Sequence, residues 1–399
     1  MSLMFLSLGA ALLLAPLFNR LVSRAGWVDK PTARKRHRGE IPLSGGLMLV
    51  GSVVLLGTVL QIGLPAYGTG LIAGIGLVFA VGFIDDRFPI RARYRLAAQV
   101  AAALIAVIWG GALITSFGEL LPGLMISPWT WLALLLTVVA IAGLSNAFNL
   151  SDGIDGLCAS YALVSIGWLL LVTLALDPEL VVGLAPLQWL VIGALLAFLV
   201  FNLWHPWQKS SAMFLGDGGS VALGFLVAWL AVRLVKVDDG AIGASVMLWF
   251  VAMPMLDMIA SLVRRLSEGA KLLAADNRHL HHLLLARGHS VPGAVGILAG
   301  AHALAGAVGV LAWQLHAPDY LVFGGFVALA AVVCAWNNAW WRRHTGAVKV
   351  RPVRGTTARV REISENLPDL SESTWLLTGT APRVATGGPD DRHRQRWDS

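Results

Sequence analysis

Charged residues are scarce in this chain: Asp, Glu, Lys and Arg make up 13% of its 399 residues, against roughly 25% in soluble domains. Hydrophobic residues supply 57%, and the mean hydropathy is +0.71. So little polar surface cannot cover a globule, which excludes an ordinary water-soluble domain and a disordered chain alike. Cysteine is scarcer still. Cys158 and Cys334 both lie in apolar runs, which excludes a disulfide framework and leaves no thiolate metal site. No internal repeat is visible, and that counts against a transporter built from inverted repeats. What remains is an integral membrane protein.

The formal charge of +7 is unevenly placed. Residues 342–399 hold 11 Lys or Arg and 7 Asp or Glu, leaving 19 basic and 16 acidic residues in the first 341. The tail is rich in Gly, Pro, Thr and Arg and reads as a mostly disordered polar linker. Solvation explains it better than a nucleic-acid partner does. The chain thus divides into a transmembrane domain over 1–341 and a cytoplasmic tail over 342–399. Its apolar start, Met1 to Phe18, has no basic leading segment and no cleavage site, so it is expected to stay as a helix.

Crossing the hydrocarbon layer takes about 20 apolar residues in a helix. Runs near 3–22, 42–62, 66–84, 96–115, 128–145, 156–176, 184–203, 219–236, 241–262, 292–314 and 319–341 predict an all-α polytopic fold of about eleven such helices. They are too long and too evenly apolar for membrane β-strands. Basic residues set the orientation. With the N-terminus outside, 17 of the 19 basic residues of the body, Lys209 among them, fall in cytoplasmic loops, against Arg233 and Lys236 on the other side. The C-terminus is then cytoplasmic.

Polar residues that are costly beside lipid gather in four of those cytoplasmic loops. Asp85-Asp86-Arg87 ends the third helix, and Asn146-Ala147-Phe148-Asn149-Leu150-Ser151-Asp152-Gly153-Ile154-Asp155-Gly156 joins the fifth and sixth. Phe214-Leu215-Gly216-Asp217-Gly218-Gly219-Ser220 opens the eighth, and Asp276-Asn277-Arg278-His279-Leu280-His281-His282 follows the ninth. Singly, each has an ordinary explanation as a cap, an Asx turn or a solvated helix face. Together, five Asp and two Asn suit a hard cation such as Mg²⁺, or Mn²⁺ in its place, better than zinc. Such an ion takes few protein ligands and completes its shell with phosphate. Arg91, Arg93, Arg95 and the histidines supply donors for phosphate oxygens, and Gly-Asp-Gly-Gly-Ser lets backbone approach a ligand at a helix's positive end. With no cysteine nearby, the histidines read as phosphate-binding rather than as a transition-metal site. Asp257, in Met-Pro-Met-Leu-Asp, reads as structural.

A polar site beneath lipid-facing helices requires one apolar and one water-soluble substrate. Phosphoryl transfer to or from a lipid meets those demands. The alternative is an ion- or proton-coupled transporter with the Asp and His side chains as a relay, which would carry its acids near the bilayer midplane rather than at helix ends.

The four loops jointly resemble the polyprenyl-phosphate N-acetylhexosamine-1-phosphate transferase family over roughly residues 20 to 290. Val28-Asp29-Lys30-Pro31, Arg34-Lys35-Arg36-His37 and Ile41-Pro42-Leu43-Ser44-Gly45-Gly46 look like that family's first cytosolic loop. His-x-His-His is similar to the GlcNAc-type branch. One departure stands out: the further acid or amide that commonly follows the family's acid pair is replaced here by Pro89. The resemblance implies transfer of GlcNAc-1-phosphate from its UDP-sugar to undecaprenyl phosphate with release of UMP. It places the enzyme in the bacterial inner membrane, with its site on the cytoplasmic face and a role in envelope polysaccharide synthesis. Membrane lipid and at most a second copy of the chain are the other partners expected. By the same resemblance Asn149 and Asp217 are Mg²⁺ ligands, Phe214 stacks on uracil, and Asn146 and Asp155 lie on the nucleotide side. Arg265, His279, His281 and His282 hold the diphosphate or sugar, while Asp85 and Asp86 sit by the carrier phosphate with Arg95 as its counter-charge. Direct attack by the carrier phosphate is favoured over a covalent step on Asp152, because a phosphate monoester with a second pKa near ~6 is already mostly dianionic at neutral pH.

Overall fold

The computed structural model describes residues 1–30, 39–63, 68–121, 123–125, 129–176, 178–203, 211–237, 242–271 and 278–344. Arg34 to His37, Lys209, Asp276, Asn277 and nearly all of the polar tail lie outside these. Each apolar run named above forms helix over most of its described length: α1 (Ser2–Arg24), α2 (Gly45–Val59), α3 (Gly68–Asp85), α4 (Ala92–Ile108), which stops seven residues short of the expected end, α5 (Thr130–Ser151), α6 (Leu157–Ala175), α7 (Pro178–Asn202), α8 (Gly216–Val237), the pair α9 (Ala244–Phe250) and α10 (Ala252–Ser267), then α12 (Val291–Gln314) and α13 (Asp319–His344). A short α11 (Leu280–Ala286) carries the histidines. Where water is absent, helices satisfy every backbone group internally, so long apolar runs have little else to become. Among the described residues eight helices are long and apolar enough to cross a membrane, or nine if α9 and α10 count as one bent span, against the eleven expected; α2 and α4, at 15 and 17 residues, are the short ones. The chain is an all-α, multi-pass membrane protein. Leu13 is 82% exposed and Leu304 71%, as lipid-facing side chains should be.

The expected single helix over 241–262 is broken. α9 and α10 meet at 90°, with Val251 at φ −124°, ψ 21° between them. Pro254 stands in the first turn of α10, where its missing N–H costs nothing, but a helix continuing from α9 would clash with its ring. The backbone N–H of Met253, freed by the break, points to Nδ1 of the buried His302 on α12 at 3.5 Å. The other ring nitrogen of His302 lies 2.9 Å from Ser165 Oγ on α6. Pro254 permits the break, and His302 meets the donor it exposes.

α8 is the central element, packed by α3, α5, α6 and α2. Glycines allow the closest approaches: a Cβ on Gly82 would fall 2.6 Å from Gly218 Cα. Among the described residues there are also two short antiparallel ladders, β1 (Val28–Asp29) with β2 (Ile41–Pro42) and β3 (Glu119–Leu121) with β4 (Leu124–Met125). The first braces the site. Phe214 N–H donates to Pro42 O at 2.9 Å, Gly45 and Gly46 N–H donate to Phe214 O and Leu215 O at 2.9 and 3.1 Å, and Trp27 stacks on Phe83 at 5.3 Å. The ends of α3 and α8 are thereby clamped side by side.

Candidate active site

The four motifs meet at one end of the bundle in three adjoining groups. The first forms where α3, α4, α5 and α8 converge. Arg95 Nη1 donates to Asp217 Oδ2 at 2.8 Å and to Asp85 Oδ2 as well. Asn149 Nδ2 donates to Asp217 Oδ1 and to Ser220 Oγ, both at 3.0 Å. Asn146, one turn earlier on the same face of α5, donates to Gln99 Oε1 at 2.5 Å. A cavity of about 20 Å³ opens among Arg95, Gln99, Asn146, Asn149 and Asp217. Its polar wall is made by these side chains, and Val78, Val81, Ala98 and Val221 close the other side.

The acid pair divides its labour. Asp85 faces Arg95, whereas Asp86 turns the other way and takes the backbone N–H of Asp217 at 2.8 Å and of Gly218 at 3.4 Å. The start of α8, expected to receive a ligand, is thus capped by Asp86 itself, because a carboxylate from the clamped end of α3 reaches its unpaired donors first. Gly216 sits at φ +77°, and a Cβ there would come within 2.5 Å of Asp86 Oδ2. Burial, followed by the charge of Asp217, pushes the Asp86 carboxyl up to about 7.

The second group contains the histidines. His279 Nδ1 lies 3.2 Å from Asp257 Oδ2, both buried, and Leu280 N–H donates to Asp257 Oδ1 at 2.9 Å. His281 and His282 rings are 4.2 Å apart. His281 is 1% exposed, and among the described residues neither ring nitrogen has a hydrogen-bond partner. Burial and then the neighbouring His282 hold it down to about 3, so it is neutral. A Cβ on Gly153 would fall 2.2 Å from His281 Nε2, which places the histidines against the loop after α5. Asp152 is exposed at that loop's start. Asp257 belongs with these residues although the sequence reads it as structural. Its only signal there is an acid inside an apolar run.

The third group fixes the start of α6. Asp155 Oδ2 accepts from Ser211 Oγ at 2.5 Å, and Gly156, at φ +81°, donates its N–H to Asn202 Oδ1 at 2.6 Å. Phe214 lies just beyond, half-buried between this group and α8. Arg265 is buried in the last turn of α10. Gln99 joins the first group without having stood out in the sequence, since a lone amide in an apolar helix carries no pattern.

Asp85 and Asp217 converge on one guanidinium with Asn149 beside them, a donor set suited to a hard dication that leaves coordination places for phosphate and water. Among the described residues, no three His, Cys, Asp or Glu side chains gather as a cage of their own.

The model for glycosyl transferase family 4 matches residues 69–235, the stretch from α3 to α8. The chain is 31% identical over 362 residues to the undecaprenyl-phosphate alpha-N-acetylglucosaminyl 1-phosphate transferase of Salmonella typhimurium, covering 89% of this chain and 94% of that protein. It is 34% identical over 352 residues to the protein of that name from Pasteurella multocida, covering 86% and 96%. With the one from Escherichia coli K12 it shares 30% over 271 residues, or 67% and 72%. The chain belongs to glycosyl transferase family 4. In this family-4 chain the matched stretch carries the whole first group, together with Asp152, Asp155 and Phe214. The histidines and Asp257 lie beyond it, within the longer alignments. Nothing in these likenesses favours the transporter alternative.

Proposed function

We propose that this protein transfers N-acetylglucosamine-1-phosphate, or a related N-acetylhexosamine-1-phosphate, from its UDP-sugar to undecaprenyl phosphate and releases UMP. The observation that carries the reading is the convergence of Asp85, Arg95, Asn149 and Asp217 at one end of an apolar bundle, in a chain whose relatives bear that activity in their names. Apolar cavities of about 610 and 210 Å³ flank α8. A lipid carrier therefore has apolar surface leading to a polar end.

The carrier phosphate attacks the β-phosphorus of the sugar nucleotide, the bond to UMP breaks, and the anomeric bond stays intact. Asp217, Asn149 and Asp85 are the groups that would hold Mg²⁺ or Mn²⁺. When bound, the ion neutralises diphosphate charge, which together with alignment is most of what phosphoryl transfer requires. Arg95 changes partner, from the two carboxylates to the carrier phosphate. Asp86 keeps α8 in register with α3. His279, His281, His282 and Arg265 face the diphosphate or sugar, Asn146 and Asp155 lie on the nucleotide side, and Phe214 offers its ring to uracil. Direct attack is favoured over a covalent step on Asp152, because the phosphate monoester of the carrier, with a second pKa of ~6, is already mostly dianionic at neutral pH. The site belongs on the cytoplasmic face of a bacterial inner membrane, the side on which the basic loops fall.

The test is UMP release from UDP-GlcNAc by the purified chain, with and without polyprenyl phosphate and with Mg²⁺ or a chelator. Release that requires both the carrier and the metal supports the proposal. Release without carrier makes the protein a hydrolase, and no release from any UDP-N-acetylhexosamine overturns the reading.

A further inference from the structure

His302, on α12, is fully buried where that helix meets α6 and α10. An imidazole inside an apolar bundle is costly unless its ring nitrogens find partners. Nδ1 faces the backbone N–H of Met253 on α10 at 3.5 Å. Nε2 lies 2.9 Å from Ser165 Oγ on α6, and the Tyr161 carbonyl, one turn earlier on that helix, also meets the ring. A backbone N–H can only donate and a carbonyl can only accept. The partners therefore assign the neutral tautomer, with its proton on Nε2 and a free lone pair on Nδ1.

On the α6 and α12 side this arrangement is rigid. The Tyr161 ring packs edge-on against His302 at 5.2 Å. Gly306, one turn beyond His302, leaves no room for a Cβ beside the Trp168 indole of α6, and a Cβ on Gly309 would fall 2.9 Å from Trp249 Cβ on α9. α12 is thus locked against both neighbours. The first turn of α10 is attached to that platform through Met253, whose N–H is one of the donors a helix start leaves unpaired. Asp257 stands four residues on, along the same face of α10. Tyr161 is close enough to that carboxylate to feel its charge. Asp257 in turn holds His279 Nδ1 at 3.2 Å and Leu280 N–H at 2.9 Å. Each link from His302 to the histidine segment is therefore a contact between buried groups.

We infer that His302 is a positioning residue for the proposed transfer: by accepting the N–H of Met253 it fixes the right-angled turn from α9 into α10, and with it the place of Asp257 and of the His279–His282 segment. It lies inside the bundle and acts through Asp257 rather than on a substrate. Small displacements of groups that orient a substrate are expensive in rate and affinity, which gives a remote support of this kind its leverage. The inference rests on the reaction proposed above.

The test is steady-state UMP release by the purified full chain with each substrate varied in turn, alongside thermal unfolding in detergent. His302→Leu removes the acceptor. It should raise the KM for UDP-GlcNAc about tenfold, the scale of one buried N–H left unpaired, and leave the KM for polyprenyl phosphate near wild type. His302→Asn returns an acceptor oxygen near the Nδ1 position and should recover most of that loss. His302→Leu added to Asp257→Asn should cost little beyond Asp257→Asn alone, because both act through the same histidines. Equal rises in both KM values, a lowered Tm with both KM values unchanged, additive losses in the double variant, or no recovery in His302→Asn each overturn the inference. If His302→Leu does not fold, Ser165→Ala decides: a raised KM for UDP-GlcNAc alone supports the inference, and wild-type values for both substrates overturn it. A wild-type chain that releases no UMP overturns the proposed reaction and this inference with it, whereas normal wild-type release with any of the adverse results overturns the inference alone.

Discussion

Asp257 and His279 meet at 3.2 Å in a buried pair, and the same carboxylate takes the backbone N–H of Leu280, so one acid on α10 sets the position of the whole histidine segment. Asp257→Asn keeps an oxygen for Leu280 but removes the charge opposite His279. The hydrogen bond from Leu280 N–H to this carboxylate is of the charged kind that contributes about 1.5–3 kcal/mol, and a neutral amide oxygen keeps only part of it. The variant should therefore raise the KM for UDP-GlcNAc about tenfold or more while leaving the KM for polyprenyl phosphate near wild type. Equal increases in both would mean that Asp257 supports the fold generally rather than the histidines.

Arg95 lies between Asp85 and Asp217, which makes it the cation best placed to exchange a carboxylate for an incoming phosphate. Arg95→Ala should raise the KM for polyprenyl phosphate more than that for UDP-GlcNAc. Steady-state kinetics with each substrate varied in turn decides the point, and the reverse order would move Arg95 to the nucleotide side.

The helices were legible because a run of about 20 apolar residues has one outcome in lipid. The break at Val251 was not, since Pro254 marks only where a helix is free to bend. The right angle depends on His302 and Ser165, which lie on helices remote in sequence. The acid pair shows the same limit. Asp85 and Asp86 are a unit in the sequence, yet they part because Asp86 finds backbone donors on α8, 131 residues away. Residue types and loop positions identified the Asp, Asn and His groups. Asp257 and Gln99 were hidden because their significance lies in partners that no local spacing reveals.

His281 is neutral and buried, with its pKa held down to about 3 against an ordinary value of 6.5. Between those values the unfolded chain binds a proton that the folded chain refuses, so stability contributed above pH 6.5 is lost as the pH falls toward 3. The loss approaches about 1.4 kcal/mol per pH unit for this one group. His281→Gln should therefore show a smaller drop in Tm between pH 7 and pH 5.5 than the wild type, measured by thermal unfolding in detergent. An unchanged drop would mean that His281 is protonated in the folded protein.

Residues beyond His344 carry none of the four motifs and have the composition of a linker. A chain ending at His344 should insert normally and retain most of its UMP release. Normal insertion with loss of most activity would give the tail a catalytic part.

Asp217 is the acid on which the first group turns, tied to Arg95 at 2.8 Å and to Asn149 at 3.0 Å. Its neighbours Gly216, Gly218 and Gly219 are taken up by packing against Asp86, Phe83 and Gly46, so the carboxylate rather than the helix backbone is the group left to meet a ligand. Asp217→Asn preserves shape but removes one negative charge, so a hard dication should bind much more weakly. The loss in transfer should be on the order of 10²-fold, as when a key electrostatic group is removed. Added Mg²⁺ should restore activity only in part, because the diphosphate carries metal as well. Asp155, held by Ser211 in a different group, provides the contrast: Asp155→Asn should leave the metal dependence almost unchanged. Titrating Mg²⁺ against UMP release in both variants separates the two roles. A wild-type Mg²⁺ curve in Asp217→Asn would remove Asp217 from the metal site and leave its carboxylate as the partner of Arg95 alone.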